Sequence, residues 1–409
     1  MAPSRLVLSL ASALFIASAA RAADAGALFQ QIDGIVAELS EITGLKAKSK
    51  VAYAMIDRSQ LKDFLESRIK EEVKPEELRA EETTLKKLGF LPQDFDLRAS
   101  TVDLLTEQAA AFYDFRKKKL FVLDTTSGQM QQTALVHELA HALADQHFNL
   151  GRFMEHGVKS DDASTARMAV MEGQASWLMT EYMARHQGQS LKDNRALMEL
   201  MTSGDFSGSQ FPVLEKTPLY LRETLLFPYT KGMLFQHVVY EKLDRAAFAE
   251  VFRTPPATTQ QIIHPDAYFA HRRPVDPPLP ELPAALKRWK ELSAGTMGEL
   301  DHSLLLRQYA GKETAADLSP KWSGGRYRVI EQSKGGPAAL QYVSEWETEE
   351  AAADYFHAYR KVLTAKWKEI NIRRDEGDLL TGHGDDGDFV VRLEGKRVSS
   401  IEGQPAPPL

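Results

Sequence analysis

The stretch QMQQTALVHELAHALADQHF, residues 129–148, decides how this chain is read. Its apolar residues recur at three- and four-residue spacings, which predicts a helix. On that helix His137 and His141 are four residues apart and share a face, so both imidazoles can address one cation. Glu138, beside the first histidine, can lean over the open position of such a cation and take a proton from water that the metal acidifies. Asp145 continues the same row, where a carboxylate either orients a ligand imidazole through its second N–H or caps a neighbouring loop. The plain alternative is a pair of histidines on a solvated helix face.

A catalytic zinc site needs a third protein ligand. Cysteine is absent from all 409 residues, so that ligand must be His, Asp or Glu. His147 stands at the metzincin spacing, but metzincins carry Gly where this chain has Ala144, and that Gly lets the chain leave the helix. Ala144 favours continuing it, which carries His147 off the face of His137 and His141. Glu172, in Met171-Glu172-Gly173-Gln174-Ala175, lies on the next long helical pattern, residues 162–186. A carboxylate from a second, antiparallel helix completes a His-His-Glu set without breaking the first, which is the gluzincin layout. Glu172 is therefore the expected third ligand, with His147 and then Asp162 or Glu181 behind it.

Working outward, Phe112-Tyr113-Asp114-Phe115 and Leu120-Phe121-Val122-Leu123 are β-prone runs separated by Arg116-Lys117-Lys118-Lys119, which predicts a hairpin directly before the histidine helix. Its exposed strand is either an ordinary edge guarded by lysines or a rail for an extended peptide. Ala166, Ala169, Val170, Gly173, Ala175 and Leu178 give the second helix a small-residue packing face.

At the N-terminus, Arg5, an apolar run over residues 6–20 and Ala20-Arg21-Ala22 have the layout of a secretory signal, so residues 1–22 are expected to be a signal peptide and the protein exported, periplasmic or extracellular. No second run approaches the length that spans a bilayer, so no integral membrane segment is expected after signal removal. The formal charge of −7 leaves no basic excess, and nucleic acid is excluded as a partner.

Residues 23–95 are expected to form an N-terminal helical region, from the spacing of Ile32, Ile35, Val36, Leu39 and Ile42 and the Glu/Lys/Leu composition of 61–87. The metallopeptidase-like domain is assigned to 96–272. Five prolines between Arg273 and Pro283 mark a boundary, and 273–300 is expected to be a Pro-rich linker and helix. Residues 301–409 are expected to form a small α+β module, with strands at 326–330 and 340–343, a helix over 347–370 and a closing hairpin at 389–393 and 397–401.

The stretches Ala111-Phe112-Tyr113-Asp114, His137 through Phe148, Glu172-Gly173-Gln174-Ala175 and Pro255 through Pro265 resemble predicted gluzincin-type zinc metallopeptidases of bacteria and archaea, over most of residues 85–270 and more faintly the C-terminal module. The resemblance implies bound zinc (Zn2+), a peptide or protein substrate and a peptidase fold. The fold class expected is thus α+β, mostly helical: a gluzincin-like zinc metallopeptidase domain with a short edge-strand hairpin before the active-site helix, plus the small C-terminal module. It also implies roles for two further residues. Tyr229, in Phe227-Pro228-Tyr229-Thr230-Lys231-Gly232, resembles the Tyr-x-x-Gly region in which gluzincin aminopeptidases steady the oxyanion, and a core tyrosine is the competing reading. His264 is either a second oxyanion donor or a structural loop histidine.

The expected activity is peptide-bond hydrolysis with His137, His141 and Glu172 as metal ligands and Glu138 as general base. Two other functions fit the same residues. One is a non-catalytic envelope-binding protein that retains a zinc helix; the other is a zinc hydrolase of non-peptide amides or esters.

Overall fold

Helix α1 (Ile32–Thr43) opens a computed structural model that describes residues 30–72, 74–108, 111–124, 128–194, 196–198 and 212–405. The expected signal peptide, residues 1–22, lies outside the described residues. Helix α1 buries Ile32, Ile35, Val36, Leu39 and Ile42, the stripe its spacing predicts. It stops at Gly44, whose φ of 74° suits a residue without Cβ and whose N–H bonds back to the Ser40 carbonyl.

The region 23–95, expected to be helical, also contains a strand, β1 (Ala52–Ile56), which pairs in parallel with β3 (Lys119–Leu123). Strand β2 (Ala111–Asp114) pairs antiparallel with β3, so the sheet order is β1-β3-β2. The predicted hairpin is present, with β2 on the outside and β3 enclosed. A five-residue strand with a distant parallel partner has no local signal to separate it from the helical composition around it. Helices α2 (Arg58–Glu72), α3 (Pro75–Leu88) and α4 (Leu97–Gln108) account for most of the remainder of this region.

Helix α5 (Gly128–Phe148) packs against α1, the hairpin and α7 (Asp161–Arg185), with the short α6 (Leu150–Glu155) between. Its buried Leu135, Leu139 and Leu143 share a core with Ile35, Val122 and Trp177. Helix α7 is capped by Ser160, whose side chain accepts from the Ala163 N–H, and begins with Asp161 and Asp162, the charge a helix N-terminus favours. After α8 (Pro212–Lys216), α9 (Leu219–Leu243) lies along α7 with backbones in contact. A Cβ on Gly173 would stand 2.2 Å from the Gly232 carbonyl carbon, and one on Gly232 would stand 2.2 Å from the Ala169 oxygen. Gly173→Ala is therefore expected to cost about 3 kcal/mol, read as a lower urea midpoint, because only a helix shift can relieve a backbone clash. An unchanged midpoint would show that the helices sit farther apart.

Helices α10 (Ala247–Arg253), α11 (Thr259–Ile263) and α12 (Pro265–Phe269) lead into the proline-rich stretch. Beyond it the chain forms an antiparallel sheet of order β4-β5-β6-β10-β9-β8-β7: β4 (Lys290–Thr296), β5 (Trp322–Glu331), β6 (Ala338–Trp346), β7 (Ile370–Glu376), β8 (Leu379–Gly384), β9 (Gly387–Glu394) and β10 (Arg397–Gln404). Between β4 and β5 lie α13 (Glu299–Tyr309) and α14 (Lys312–Leu318); α15 (Glu349–Lys366) covers the sheet with Tyr355, Tyr359 and Val362. The helix expected within 273–300 is corrected: Lys290–Thr296 is a strand, paired to β5 through Ala294 opposite Arg328. The molecule is thus mixed α+β with more helix than strand, and one large core runs from Ala166 and Phe235 into Leu304, Tyr342 and Trp346. Among the described residues no helix is long and apolar enough to cross a membrane.

Within that core His302 is fully buried, its Nδ1 donating to the Gly298 carbonyl (2.7 Å), which leaves Nε2 to accept from the Tyr342 hydroxyl (2.7 Å). Burial lowers its pKa to about 4 from an ordinary 6.5. The unfolded chain then takes up this proton first, so the stability due to neutral His302 is present above about pH 6.5 and lost as pH falls toward 4, about 3 kcal/mol in all. Urea unfolding across that range should show a shallower acid slope in His302→Gln; equal slopes would remove His302 as the cause.

Candidate metal centre

Helix α5 presents His137 and His141 inward on one face, and α7 crosses with Glu172 against both. His137 Nε2 lies 3.1 Å from His141 Nε2 and 3.1 Å from Glu172 Oε2, and His141 Nε2 lies 3.2 Å from the same oxygen. A tetrahedral cation about 2.0–2.1 Å from each ligand requires donors roughly 3.3 Å apart, so this triangle fits one. His137, Glu138 and His141 also form a buried group with ligand atoms all within 4.8 Å of one another, which could hold a metal ion. Exposures of 1% for His137, 1% for Glu138, 3% for His141 and 0% for Glu172 put the whole set out of bulk water.

Electrostatics supports a place for positive charge at the centre of this triangle. Burial lowers His137 to about 4 and keeps it neutral. Burial also opposes charge on His141, but Glu172 outweighs it and raises this imidazole. For Glu172 burial is again outweighed, by His141 and His137, and the carboxyl is held at about 2. The pair thus shares a proton among three converging donors, and a cation taking its place would release it. Buried Glu172 Oε1 and Glu138 Oε1 have no hydrogen-bond partner among the described residues.

The carboxylate of Glu138 is anchored at its other oxygen: Oε2 accepts from the backbone N–H of Tyr113 on the outer strand β2 (2.7 Å). Desolvation raises its pKa to about 8. Tyr113 is the residue the sequence reading did not single out. Its hydroxyl donates to Asp145 Oδ2 (3.0 Å), so one residue ties the strand to α5 at two points two turns apart. No sequence signal marks a backbone amide for such a role.

Asp145 acts as a clasp. Beyond Tyr113 it accepts from Lys118 Nζ in the hairpin turn (2.8 and 2.6 Å) and from the Leu150 N–H at the start of α6 (2.9 Å), the loop-capping role of the two considered. The structure does not bring His147 to the cluster. Helix α5 runs through Ala144 unbroken, and His147 Nε2 instead lies 2.8 Å from the Lys46 carbonyl. Glu181 accepts from Arg185, Ser190 and Leu191, and Asp162 from Thr259, so neither faces the histidines. Tyr229, half-buried on α9, stacks on His137 with ring centroids 6.0 Å apart and planes at 27°. His264 is paired with Glu299 (2.8 Å), a contact to α13.

Residues 287–408 match a family described as a domain of unknown function (DUF8575). That match begins just before β4 and covers the C-terminal sheet; none of the metal-centre residues falls within it. No curated protein and no solved structure matches the chain.

Proposed function

We propose that this chain is an exported zinc-dependent peptidase of gluzincin type, in which His137, His141 and Glu172 hold the metal and Glu138 is the general base. The observation that carries the reading is the donor triangle of two histidines and one carboxylate beside a second carboxylate anchored at only one oxygen. Zinc in such a site supplies a Lewis acid that acidifies water and polarises a carbonyl. Within this chain, the Tyr113 N–H fixes Glu138 Oε2, and Oε1 is the atom that takes the proton from water. The same oxygen can then pass that proton to the leaving amine. Tyr229, stacked beside His137, is assigned as hydrogen-bond donor to the oxyanion.

One observation favours a second reading. Glu138 belongs to the same tight group as the histidines, and a fourth protein ligand would make the site closed and structural. Metal analysis together with turnover of an unfolded protein substrate tests the first reading. It expects one zinc per chain and hydrolysis that a chelator stops and added zinc restores. Absence of bound zinc would overturn it, and hydrolysis of esters but not peptides would move the substrate class.

A further inference from the structure

The turn between β2 and β3 carries four consecutive cations, Arg116, Lys117, Lys118 and Lys119. They guard no open sheet edge, because β3, which begins at Lys119, is enclosed between β1 and β2. The parallel pairing that sets Ala52 opposite Lys119 brings a second basic segment, Lys46, Lys48 and Lys50, to the same end of the sheet. Both segments meet the last turn of α5: Lys48 Nζ donates to the Gln146 carbonyl (2.8 Å), and Lys118 Nζ to the adjacent Asp145 (2.6 Å). Except for half-buried Lys119, these basic residues are exposed.

In a chain of net charge −7 this is a local positive surface, and the carboxylates that meet it are already engaged. Asp33 pairs with Lys50 (3.0 Å). Asp114 is buried and accepts from Arg68 and from the Arg116 and Lys117 N–H groups; Asp145, also buried, accepts from Tyr113, Lys118 and Leu150. Among the described residues the ammonium groups of Lys46, Lys117 and Lys119 make no ion pair. Two of them lie over aromatic rings instead: Lys117 Nζ is 5.3 Å from the centre of Phe64 and 5.9 Å from that of Phe121, and Lys119 Nζ is 5.5 Å from Phe121. Phe64 and Phe121 are half-buried, each stacked on Phe112, with centroids 4.8 and 4.9 Å apart. Lysine stems laid along half-buried rings make a surface that is apolar beneath and cationic outside.

We infer that this end of the sheet docks on an anionic lipid bilayer, the lysines meeting headgroup phosphates and Phe64 and Phe121 lying at the headgroup boundary. A bilayer attracts each ammonium within a Debye length and asks for no fixed pairing, which suits long side chains that hold no carboxylate. It also accepts the apolar rings under the lysines, whereas a soluble polyanion would meet the charge alone. The same hairpin carries Tyr113, whose N–H holds Glu138, so docking at the turn sets the metal centre beside the lipid surface. This holds whatever reaction the centre supports, and the inference stands apart from the peptidase reading.

Sedimentation with lipid vesicles tests it. The full chain is mixed with vesicles of phosphatidylcholine alone or with about one-third phosphatidylglycerol, at equal lipid concentration. The readout is the ratio of partition into anionic over neutral vesicles, which an apolar attachment elsewhere on the chain leaves at one. A ratio of at least about fifty is expected in low salt, falling to near one in about 0.5 M NaCl, where charges are screened within a few ångström. Lys46→Gln and Lys117→Gln should each lower it about fivefold, and Lys312→Gln, on α14 of the C-terminal module, should leave it unchanged. A wild-type ratio near one, a ratio that survives salt, or one unchanged in both Lys46→Gln and Lys117→Gln would overturn the inference. So would retention on immobilised polyphosphate with no preference between the vesicles, which would assign the surface to a soluble polyanion.

Discussion

Glu138→Gln is expected to lose hydrolysis by about a thousandfold while the purified protein keeps its zinc. The amide preserves the shape of the side chain and can still accept from the Tyr113 N–H, so strand β2 should stay in register with α5. What it loses is the ability to take a proton. The oxygen assigned to take that proton, Oε1, is buried and has no hydrogen-bond partner among the described residues, which is why a neutral isostere should cost so much at this position. Steady-state turnover and metal content of the same preparation separate the two readings of the site. Turnover lost with zinc retained supports the general base. Zinc lost along with turnover would make Glu138 a fourth ligand and the centre structural. Turnover retained would reject both its catalytic role and the proposed mechanism.

The second large effect is expected at Glu172. Glu172→Gln should weaken zinc binding by more than about a hundredfold, since groups that merely orient a ligand already contribute tenfold to a hundredfold. Its Oε2 lies within hydrogen-bond distance of both imidazoles, and the side chain is fully buried, so water cannot easily replace it. His147→Ala should leave zinc in place, because His147 is engaged with the Lys46 carbonyl on another face of α5. Competition with a chromophoric chelator measures both variants. The reverse pattern, zinc lost only in His147→Ala, would require α5 to break near Ala144 and would overturn the ligand set.

These expectations rest on unequal parts of the sequence. The helix bearing His137 and His141 is readable because its signal is local: apolar periodicity, a four-residue histidine spacing, and Ala144 where a break would need Gly. The small-residue face around Gly173 is readable for the same reason, and so are α15 and the closing hairpin of β9 and β10, whose periodicities lie within one short segment.

Tertiary structure decided whatever depends on a distant partner. Short strands such as Ala52–Ile56 and Lys290–Thr296 carry little pattern of their own and become strands by pairing with residues 119–123 and 326–331. The convergence of Glu172 on two histidines of another helix requires α7 to pack across α5, a distance no spacing rule contains. A main-chain amide such as that of Tyr113 looks the same in every sequence, and Glu81 reads as one more charge on a solvated helix until burial removes its water. Residue order along α5 therefore determined which face could carry chemistry. Only the packing of strands and helices around it decided which carboxylates face the histidines and which face one another.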